Sequence, residues 1–301
     1  MHRICVNTGE LILFIAFVTG MILTVTLCVG SCSVYAGENN IGDDIMDGAH
    51  PLDLGPKEAR TGVLMVHGFV GTVNNFENFP YRIAEEGYHV RAMRLPGHGT
   101  KPSDMKSVTA DSLYEAVRDE YRAMRTRHER VAVIGHSMGG TLATILASQE
   151  EVDAIVLCAP FYRVTRKWYY VLPPEWWSAV LSPLIRWVPK SQMAIQVNRP
   201  GVSDKIVSYR WIPIQGVKTL FELERRATAE ITPAGIRGPI LIIHARGDDA
   251  ASYDAARDMF RRISSHDKRF VTLERSNHVI FWDYERDDVT REIISFLHNL
   301  Q

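Results

Sequence analysis

The fold is decided by the stretch Val131-Ala132-Val133-Ile134-Gly135-His136-Ser137-Met138-Gly139-Gly140. Its first half is an apolar run typical of a β-strand, and Gly-X-Ser-X-Gly joins it to small residues typical of a helix start. This pattern predicts a nucleophile elbow, in which a serine occupies a strained backbone conformation at the edge of a sheet. Gly135 and Gly139 lack the side chains that would clash in so sharp a turn. The alternative, an ordinary glycine-rich turn, would leave Ser137 without a chemical role.

A serine hydroxyl is a weak nucleophile until a base removes its proton, and the base needs a third group to fix its tautomer. Asp248 follows the apolar run 240–244 in Ala-Arg-Gly-Asp, and His278 follows a later apolar run in Ser-Asn-His. Both therefore lie on loops where predicted strands end. The chain order Ser, Asp, His is not that of trypsin-like or subtilisin-like proteases. We predict Ser137 as nucleophile, Asp248 as acid and His278 as base.

Alternatives exist for the acid and for the base. Asp249 adjoins Asp248, but on an extended turn its side chain is expected to point elsewhere. Four other histidines lie near the ends of strands: His67, His98, His136 and His244. We expect His67 and His136 to support their loops by hydrogen bonds. His244 ends a core strand and is expected to be a satisfied structural residue.

A tetrahedral intermediate also needs donors for its oxyanion, usually two backbone N–H groups. In His67-Gly68-Phe69-Val70-Gly71 an apolar strand opens into a glycine-flanked turn that would present the N–H of Phe69. The elbow itself would present the N–H of Met138 at the start of a helix. We predict these two amides as the oxyanion hole, with a plain turn at 67–71 as the alternative.

Apolar runs alternate with helical patterns through most of the chain. Continuous Val/Ile/Leu runs are typical of strands covered on both faces, as in a parallel sheet. The strand candidates are 62–67, 89–94, 130–134, 152–159, 239–244 and 270–273. The helical stretches are 76–86, 109–128, 139–149, 252–264 and 287–300. This alternation predicts the α/β class, with a doubly wound, mostly parallel sheet and right-handed crossovers.

One interval interrupts the alternation. Residues 161–235 separate two core strands and are far more than a crossover needs, so we predict an insertion between the core segments 61–160 and 236–301. It contains Trp168, Tyr169, Tyr170, Trp176, Trp177, Trp187, Tyr209, Trp211 and Phe221. An insertion that leaves a strand at its carboxyl end would cover the edge where open α/β sheets bind ligands. We predict an aromatic-rich cap, although each aromatic taken singly is expected to attach the insertion to the body.

The N-terminal region has a separate character. Residues 11–37 carry no charge, Arg3 precedes them and acidic residues follow. Twenty apolar residues in a helix span about 30 Å, the thickness of a bilayer core. We predict that residues 1–36 are a signal peptide or membrane anchor, that 37–60 are a linker, and that the body lies outside the cytoplasm, exported or membrane-attached. Three fates are open: retention, cleavage after Ala36, or lipidation at Cys32.

Charge and cysteine content exclude several classes. The chain has 34 Lys and Arg against 35 Asp and Glu, and lacks a long basic run, so no nucleic-acid partner is predicted. Three of its four cysteines, Cys5, Cys28 and Cys32, lie in or beside the N-terminal apolar segment. Only Cys158 lies in the body, so no disulfide framework is predicted there. No Cys/His cluster has metal-ligand spacing, and no metal or cofactor is predicted.

Taken together, the motifs resemble those of the α/β-hydrolase superfamily, and within it the bacterial carboxylesterase and monoacylglycerol lipase group. The resemblance covers residues 61–300 and rests on the motifs His67-Gly68-Phe69 with Gly71, Leu95-Pro96-Gly97-His98-Gly99, Gly135 to Gly140, Cys158-Ala159-Pro160, Ala245 to Asp248 and Ser276 to Ile280. It implies a serine hydrolase that cleaves carboxylic esters through an acyl-enzyme. The aromatic cap favours an ester or lipid with an apolar acyl chain or an aromatic group, for example a monoacylglycerol at a membrane surface.

Other functions are compatible with the same motifs. An acyltransferase or a haloperoxidase-like perhydrolase could use this scaffold, and a non-catalytic, membrane-tethered binding protein is a further alternative. Dehalogenases and epoxide hydrolases of this fold place an aspartate at the nucleophile position, so Ser137 argues against them. The oligomeric state is left open.

Overall fold

The computed structural model describes residues 45–165, 186–189 and 196–300. The predicted signal peptide or anchor, its cleavage site and the lipidation at Cys32 lie outside these ranges and stay predictions. Within them, no helix combines the length and the apolar character that crossing a membrane requires.

The described residues alternate between strands and helices. The strands are β1 Leu52–Leu54, β2 Thr61–Val66, β3 His89–Met93, β4 Arg130–His136, β5 Ala154–Cys158, β6 Trp187–Pro189, β7 Trp211–Pro213, β8 Ile240–Ala245 and β9 Lys268–Leu273. The α-helices are α1 Phe79–Glu85, α2 Ala110–Arg125, α3 Met138–Gln149, α4 Ile214–Arg225, α5 Tyr253–Arg262 and α6 Arg286–His298. Each predicted core strand is present to within two residues at either end, and each predicted helix to within three.

Seven strands form one sheet in the order β1-β3-β2-β4-β5-β8-β9. All neighbouring pairs are parallel except β1 and β3. The predicted α/β fold with a mostly parallel sheet is therefore confirmed. The elbow strand β4 lies at the centre of the sheet, and its neighbours β2 and β5 end beside it.

The assignment of residues 37–60 to a linker is wrong for β1. Leu52 pairs with Ala92 and Leu54 with Val90, so this segment forms an antiparallel edge strand. Three residues are too few to show a periodic pattern. Their pairing partner also lies about forty residues further along the chain, where local sequence carries no sign of it.

Side chains on β2 show that both faces of the sheet are covered. Leu64 and Val66 pack in a core with residues of α2, α3 and α5. Val63 and Met65, which alternate with them, pack in a second core with residues of α1 and α6. Successive strand residues point to opposite faces, so a strand buried on both faces has no polar position. This explains the continuous apolar runs in the sequence.

The turn between β4 and α3 has the geometry of a nucleophile elbow. Ser137 has φ 55° and ψ −119°, a conformation that side-chain-bearing residues rarely adopt. A Cβ on Gly139 would collide with the backbone carbonyl of Val66, and a Cβ on Gly135 would collide with the carbonyl of Gly139. The two glycines are therefore required because backbone passes against backbone at this turn.

The described parts of the insertion contain the antiparallel pair β6–β7 and the helix α4. Its segment before β7 is tied to the loops that follow β2. The Tyr209 amide donates to the Val70 carbonyl at 3.2 Å, and the Val207 amide donates to Asn74 Oδ1 at 2.8 Å. The aromatic residues predicted at 168–177 lie outside the described residues.

The close approach at the elbow predicts that Gly139→Ala destabilises the protein. Alanine is the better helix former, so the substitution would be stabilising if space allowed. Because a backbone carbonyl occupies that space, we expect the free energy of unfolding to fall by about 2 kcal/mol, measured by urea denaturation. Gly235→Ala, where a Cβ meets open space, is the control. Equal stability of the two variants would contradict the geometric requirement.

Candidate active site

The structure brings together the three side chains predicted for catalysis. The Ser137 hydroxyl lies 2.9 Å from His278 Nε2, and His278 Nδ1 lies 2.8 Å from Asp248 Oδ2. Ser137 directly follows β4, Asp248 follows β8, and His278 lies on the loop between β9 and α6. Parallel strands end at the same edge of a sheet, which explains why residues more than a hundred positions apart meet there. The arrangement is that of a hydroxyl nucleophile, an imidazole base and an orienting carboxylate.

The Asp248 carboxylate is only 3% exposed and is surrounded by donors. Oδ1 accepts hydrogen bonds from the Ala250 and Ala251 amides, each at 2.8 Å. Burial favours the neutral form of this carboxyl, but the neighbouring His278 and His244 outweigh it and hold its pKa below the ordinary value. Asp248 is therefore ionised at neutral pH, as an orienting acid requires.

The loop that carries Asp248 is held by the segment that follows β5. The Thr165 hydroxyl donates to the Asp248 carbonyl at 2.9 Å, and the Thr165 amide donates to the Ala250 carbonyl at 3.0 Å. The Ser252 amide donates to the Arg163 carbonyl at 2.9 Å. The start of the insertion thus fixes the acid loop from one side.

The loop that carries His278 is held by buried acceptors. Asp283 is fully buried and accepts four amides, those of Asn277, Asn198, Arg199 and Tyr284, at 2.8 to 2.9 Å. The Asn277 side chain accepts from the His278 amide at 2.9 Å and from the Asp249 amide at 3.0 Å. Asp283 therefore ties the insertion to the base loop, and Asn277 ties the base loop to the acid loop.

The sequence alone does not show that these residues hold the acid and base loops. Asn277 and Asp283 flank the predicted base, yet nothing in their spacing shows which amides they accept. Asn198 lies almost eighty residues before Asn277 and meets it only in the fold, where the two side chains hydrogen bond at 3.1 Å. Polar residues between strands are usually solvated, so no sequence signal marked them as structural.

The two predicted oxyanion donors lie beside Ser137. Met138 is the first residue of α3, and amides in the first turn of a helix lack an intrahelical acceptor. Phe69 lies in a turn closed by the hydrogen bond from the Gly71 amide to the Gly68 carbonyl. A Cβ on Gly68 would stand 3.0 Å from the Ser137 Cβ, so this turn passes directly against the nucleophile.

A cavity of about 230 Å³ opens onto Ser137 and His278. Most of its described lining is apolar, with Phe69, Val70, Phe161, Ile206, Ile212, Leu220 and Val279. Asn75, Gln196 and Ser208 contribute polar groups, and no Asp, Glu, Lys or Arg belongs to the described lining. The cavity therefore suits an uncharged, largely apolar group next to the nucleophile.

Two histidines support loops around the site, as predicted. The His67 ring donates from Nδ1 to the Gly68 carbonyl at 2.9 Å and accepts from the Leu95 amide at 3.1 Å. His136 Nε2 donates to the His278 carbonyl at 3.1 Å. Burial, with the neighbouring histidines, lowers the pKa of each ring to about 3. Both rings are therefore neutral under any condition in which His278 acts as a base.

The alternatives to the predicted acid and base take other positions. The Asp249 carboxylate accepts from the Asn277 side chain at 3.2 Å, away from the His278 ring. His244 is fully buried at the end of β8. The expectation that His244 is a satisfied core residue is wrong. Its Nδ1 is buried without a hydrogen-bond partner in the described structure, and its Nε2 lies 3.2 Å from Asp248 Oδ2.

Comparison with known proteins agrees with this geometry. The family model described as serine aminopeptidase, S33, matches residues 57–285. A carboxylesterase from Bacillus subtilis is 24% identical over 81% of this chain and 95% of its own length. A thermostable monoacylglycerol lipase from Bacillus sp. (strain H-257) is 28% identical over 84% of this chain and 95% of its own length.

Solved structures show the same likeness. One described with the metagenome-derived lipolytic enzymes LipS and LipT has a TM-score of 0.76 and 26% identity, and the match covers 85% of this chain and 99% of that one. A monoacylglycerol lipase from Paleococcus ferrophilus has a TM-score of 0.71 at 17% identity, over 84% of this chain and 99% of that one, which shows the fold alone.

The chain belongs to the serine aminopeptidase S33 family of α/β-hydrolases. The resemblance to the carboxylesterase and monoacylglycerol lipase group is confirmed, and the chain is an enzyme of the ester hydrolase type.

The buried histidines predict a loss of stability in mild acid. Burial lowers the pKa of His67 and His136 to about 3 and that of His98 to about 4, against 6.5 for an unhindered ring. Between pH 6.5 and pH 4 the unfolded chain therefore binds more protons than the folded one, and stability falls as pH falls. Each ring contributes a slope of about 1.4 kcal/mol per pH unit, measurable by urea denaturation at several pH values.

His98→Asn tests whether the buried rings cause this loss. The variant lacks one ring that binds a proton in the unfolded chain, so its unfolding free energy should depend less steeply on pH. Carboxylates whose pKa is lowered in the folded chain add to this loss only below about pH 5, where the unfolded carboxyls begin to bind protons, so the slope between about pH 6.5 and pH 5 reports the histidines. An unfolding free energy that stays constant from about pH 6.5 to pH 4 would show that the three rings are not held neutral.

Proposed function

We propose that this protein is a serine hydrolase that cleaves carboxylic esters through an acyl-enzyme. The observation that carries the proposal is the continuous hydrogen-bonded series from the Ser137 hydroxyl through His278 to the buried, ionised Asp248. The curated relatives named as a carboxylesterase and a monoacylglycerol lipase support the same reaction.

In the first half of the reaction, His278 Nε2 accepts the hydroxyl proton while Ser137 Oγ forms a bond to the ester carbonyl carbon. The carbonyl oxygen becomes an oxyanion and accepts the N–H groups of Phe69 and Met138, each worth about 3 kcal/mol in such a site. The bond to the alkoxy oxygen then breaks, and the imidazolium returns its proton to the departing alcohol. Asp248 stays ionised throughout and stabilises the imidazolium.

In the second half, water takes the place of the alcohol. His278 removes a proton from water, the hydroxyl oxygen attacks the acyl carbon, and a second tetrahedral intermediate forms at the same two amides. Its collapse breaks the bond to Ser137 Oγ, releases the carboxylic acid and returns the proton to the serine. No metal or cofactor is needed for either half.

The cavity favours an apolar acyl group of short to medium length. Its volume of about 230 Å³ lies below the roughly 300–1,000 Å³ that is usual for small-molecule sites, so it suits a chain of a few carbons better than a long one. The polar groups of Asn75, Gln196 and Ser208 can accept or donate hydrogen bonds to the alcohol part of the ester. We propose a neutral ester with an acyl chain of this size as the preferred substrate.

An aminopeptidase activity, which the family's name describes, fits the cavity less well. The substrate of an aminopeptidase carries an α-ammonium group, and a charge placed in a largely apolar cavity needs a carboxylate partner. The described lining contains neither Asp nor Glu. We therefore propose ester hydrolysis and expect no turnover of amino-acid nitroanilides.

Covalent labelling tests the role of the nucleophile. We expect a fluorophosphonate probe to label the wild-type chain once, at Ser137, and Ser137→Ala to abolish labelling and ester hydrolysis together. Asp248→Asn should lower kcat by about 10⁴-fold, because the neutral amide allows the wrong imidazole tautomer. Ser148→Ala, on α3 away from the cavity, is the matched control. A wild-type chain that neither reacts with the probe nor hydrolyses esters would refute the proposed function.

A panel of nitrophenyl esters from acetate to palmitate tests the substrate class. We expect the largest kcat/KM between butanoate and octanoate. Leu220→Phe, which fills part of the cavity, should move the optimum to shorter chains, and Leu220→Ala should move it to longer chains. An optimum at acetate, or one that does not respond to either substitution, would show that this cavity does not hold the acyl chain.

A further inference from the structure

We propose that His244 is a positioning residue of the active site, which donates a hydrogen bond to Asp248 and thereby limits the proton affinity that Asp248 confers on His278. The inference rests on the proposed serine hydrolase function. It concerns a residue that lies at the end of β8, four positions before the acid, and is fully buried.

The contacts of the His244 ring determine its tautomer. Nε2 lies 3.0 Å from the Ala251 carbonyl and 3.2 Å from Asp248 Oδ2. Both partners are acceptors, since Asp248 is ionised, so Nε2 carries the hydrogen. Nδ1 has no hydrogen-bond partner in the described structure, and a second hydrogen there would be a buried donor without an acceptor. The ring is therefore the neutral Nε2–H tautomer.

Asp248 thus receives three full hydrogen bonds and a share of a fourth. The Ala250 and Ala251 amides donate to Oδ1 and His278 Nδ1 donates to Oδ2, while the Nε2–H of His244 lies between the Ala251 carbonyl at 3.0 Å and Oδ2 at 3.2 Å. The contact to His278, at 2.8 Å, is shorter than that to His244. Two donors on one oxygen compete for its lone pairs, so each hydrogen bond weakens the other. His244 therefore weakens the interaction by which Asp248 stabilises the His278 imidazolium.

Other titratable groups around this site do not provide the same effect. On β4, the His136 ring centre lies 5.2 Å from that of His278, and burial keeps His136 neutral by lowering its pKa to about 3. On α5, the Tyr253 ring centre lies 5.9 Å from that of His244, and the Tyr253 hydroxyl shares a hydrogen bond with Thr272 at 2.8 Å. Asp249 faces the Asn277 side chain.

The function of such a donor follows from the chemistry of the base. In the acyl-enzyme mechanism His278 must take a proton and give it back in each half-reaction, which is most efficient when its proton affinity lies near the working pH. A buried carboxylate without competing donors would hold the imidazolium too strongly. His244 moderates that effect and also keeps Oδ2 directed at the base.

Nitrogen NMR of the histidine rings tests the inference without turnover, and the pH dependence of kcat/KM gives a second, kinetic readout. In the full-length chain, labelled with ¹⁵N-histidine and held in detergent, we expect His244 to show the neutral Nε2–H tautomer throughout the titration of His278. His244→Leu should raise the titration midpoint of His278 by about half a pH unit, and the acid limb of kcat/KM should move by the same amount with KM unchanged.

Two variants distinguish the hydrogen bonding of His244 from its contribution to core packing. In His244→Gln the amide N–H can replace the imidazole N–H, so the midpoint should return close to the wild-type value. His128→Leu removes another buried histidine, hydrogen bonded to His89 at 2.8 Å away from the active site, and should lower stability without moving the midpoint.

An unchanged His278 midpoint in folded His244→Leu would overturn the inference, and so would a shift of the same size in His128→Leu. If His244→Leu does not fold, the wild-type spectrum decides, because a hydrogen on Nδ1 of His244 is incompatible with donation to Asp248. A chain that hydrolyses no ester but shows the expected tautomer and shift would refute the proposed function and leave the coupling of His244 to His278 established.

Discussion

The architecture of this active site depends on keeping one buried carboxylate charged. A carboxylate removed from water is stable only when its lone pairs accept hydrogen bonds. Asp248 meets this requirement through donors from its own loop, from the strand before it and from the base loop. Those three parts of the chain must therefore take their positions together, which fixes the imidazole of His278 against Ser137.

The described parts of the insertion support the site as well as lining its cavity. Its first residues hold the acid loop through Thr165, and its later residues hold the base loop through Asn198 and the shared acceptor Asp283. Val202 and Ile206 pack with Val279 and Trp282 beside the base. A rigid base loop requires these contacts, because a loop that follows an edge strand has few neighbours of its own in the sheet.

The burial that orders the catalytic groups also makes the folded protein less stable in acid. The rings of His67, His98 and His136 are buried and neutral, and protonation of any of them would place a charge in a site removed from water. The chain thus contains several imidazoles around one edge of the sheet, of which only His278 contacts both a nucleophile and an acid. Burial, and not residue type, distinguishes the base from its neighbours.

The sequence by itself determined the fold class, the elbow and the three reactive side chains, because apolar runs and glycine positions reflect local geometry that any such sheet must have. It did not reveal β1, which is too short for a pattern, or the Asn198–Asn277–Asp283 contacts, which join distant segments. It also misjudged His244, since a histidine at the end of a strand looks the same whether its ring fills space or binds a carboxylate. Only the tertiary structure decided this, because hydrogen-bond partners are set by three-dimensional proximity.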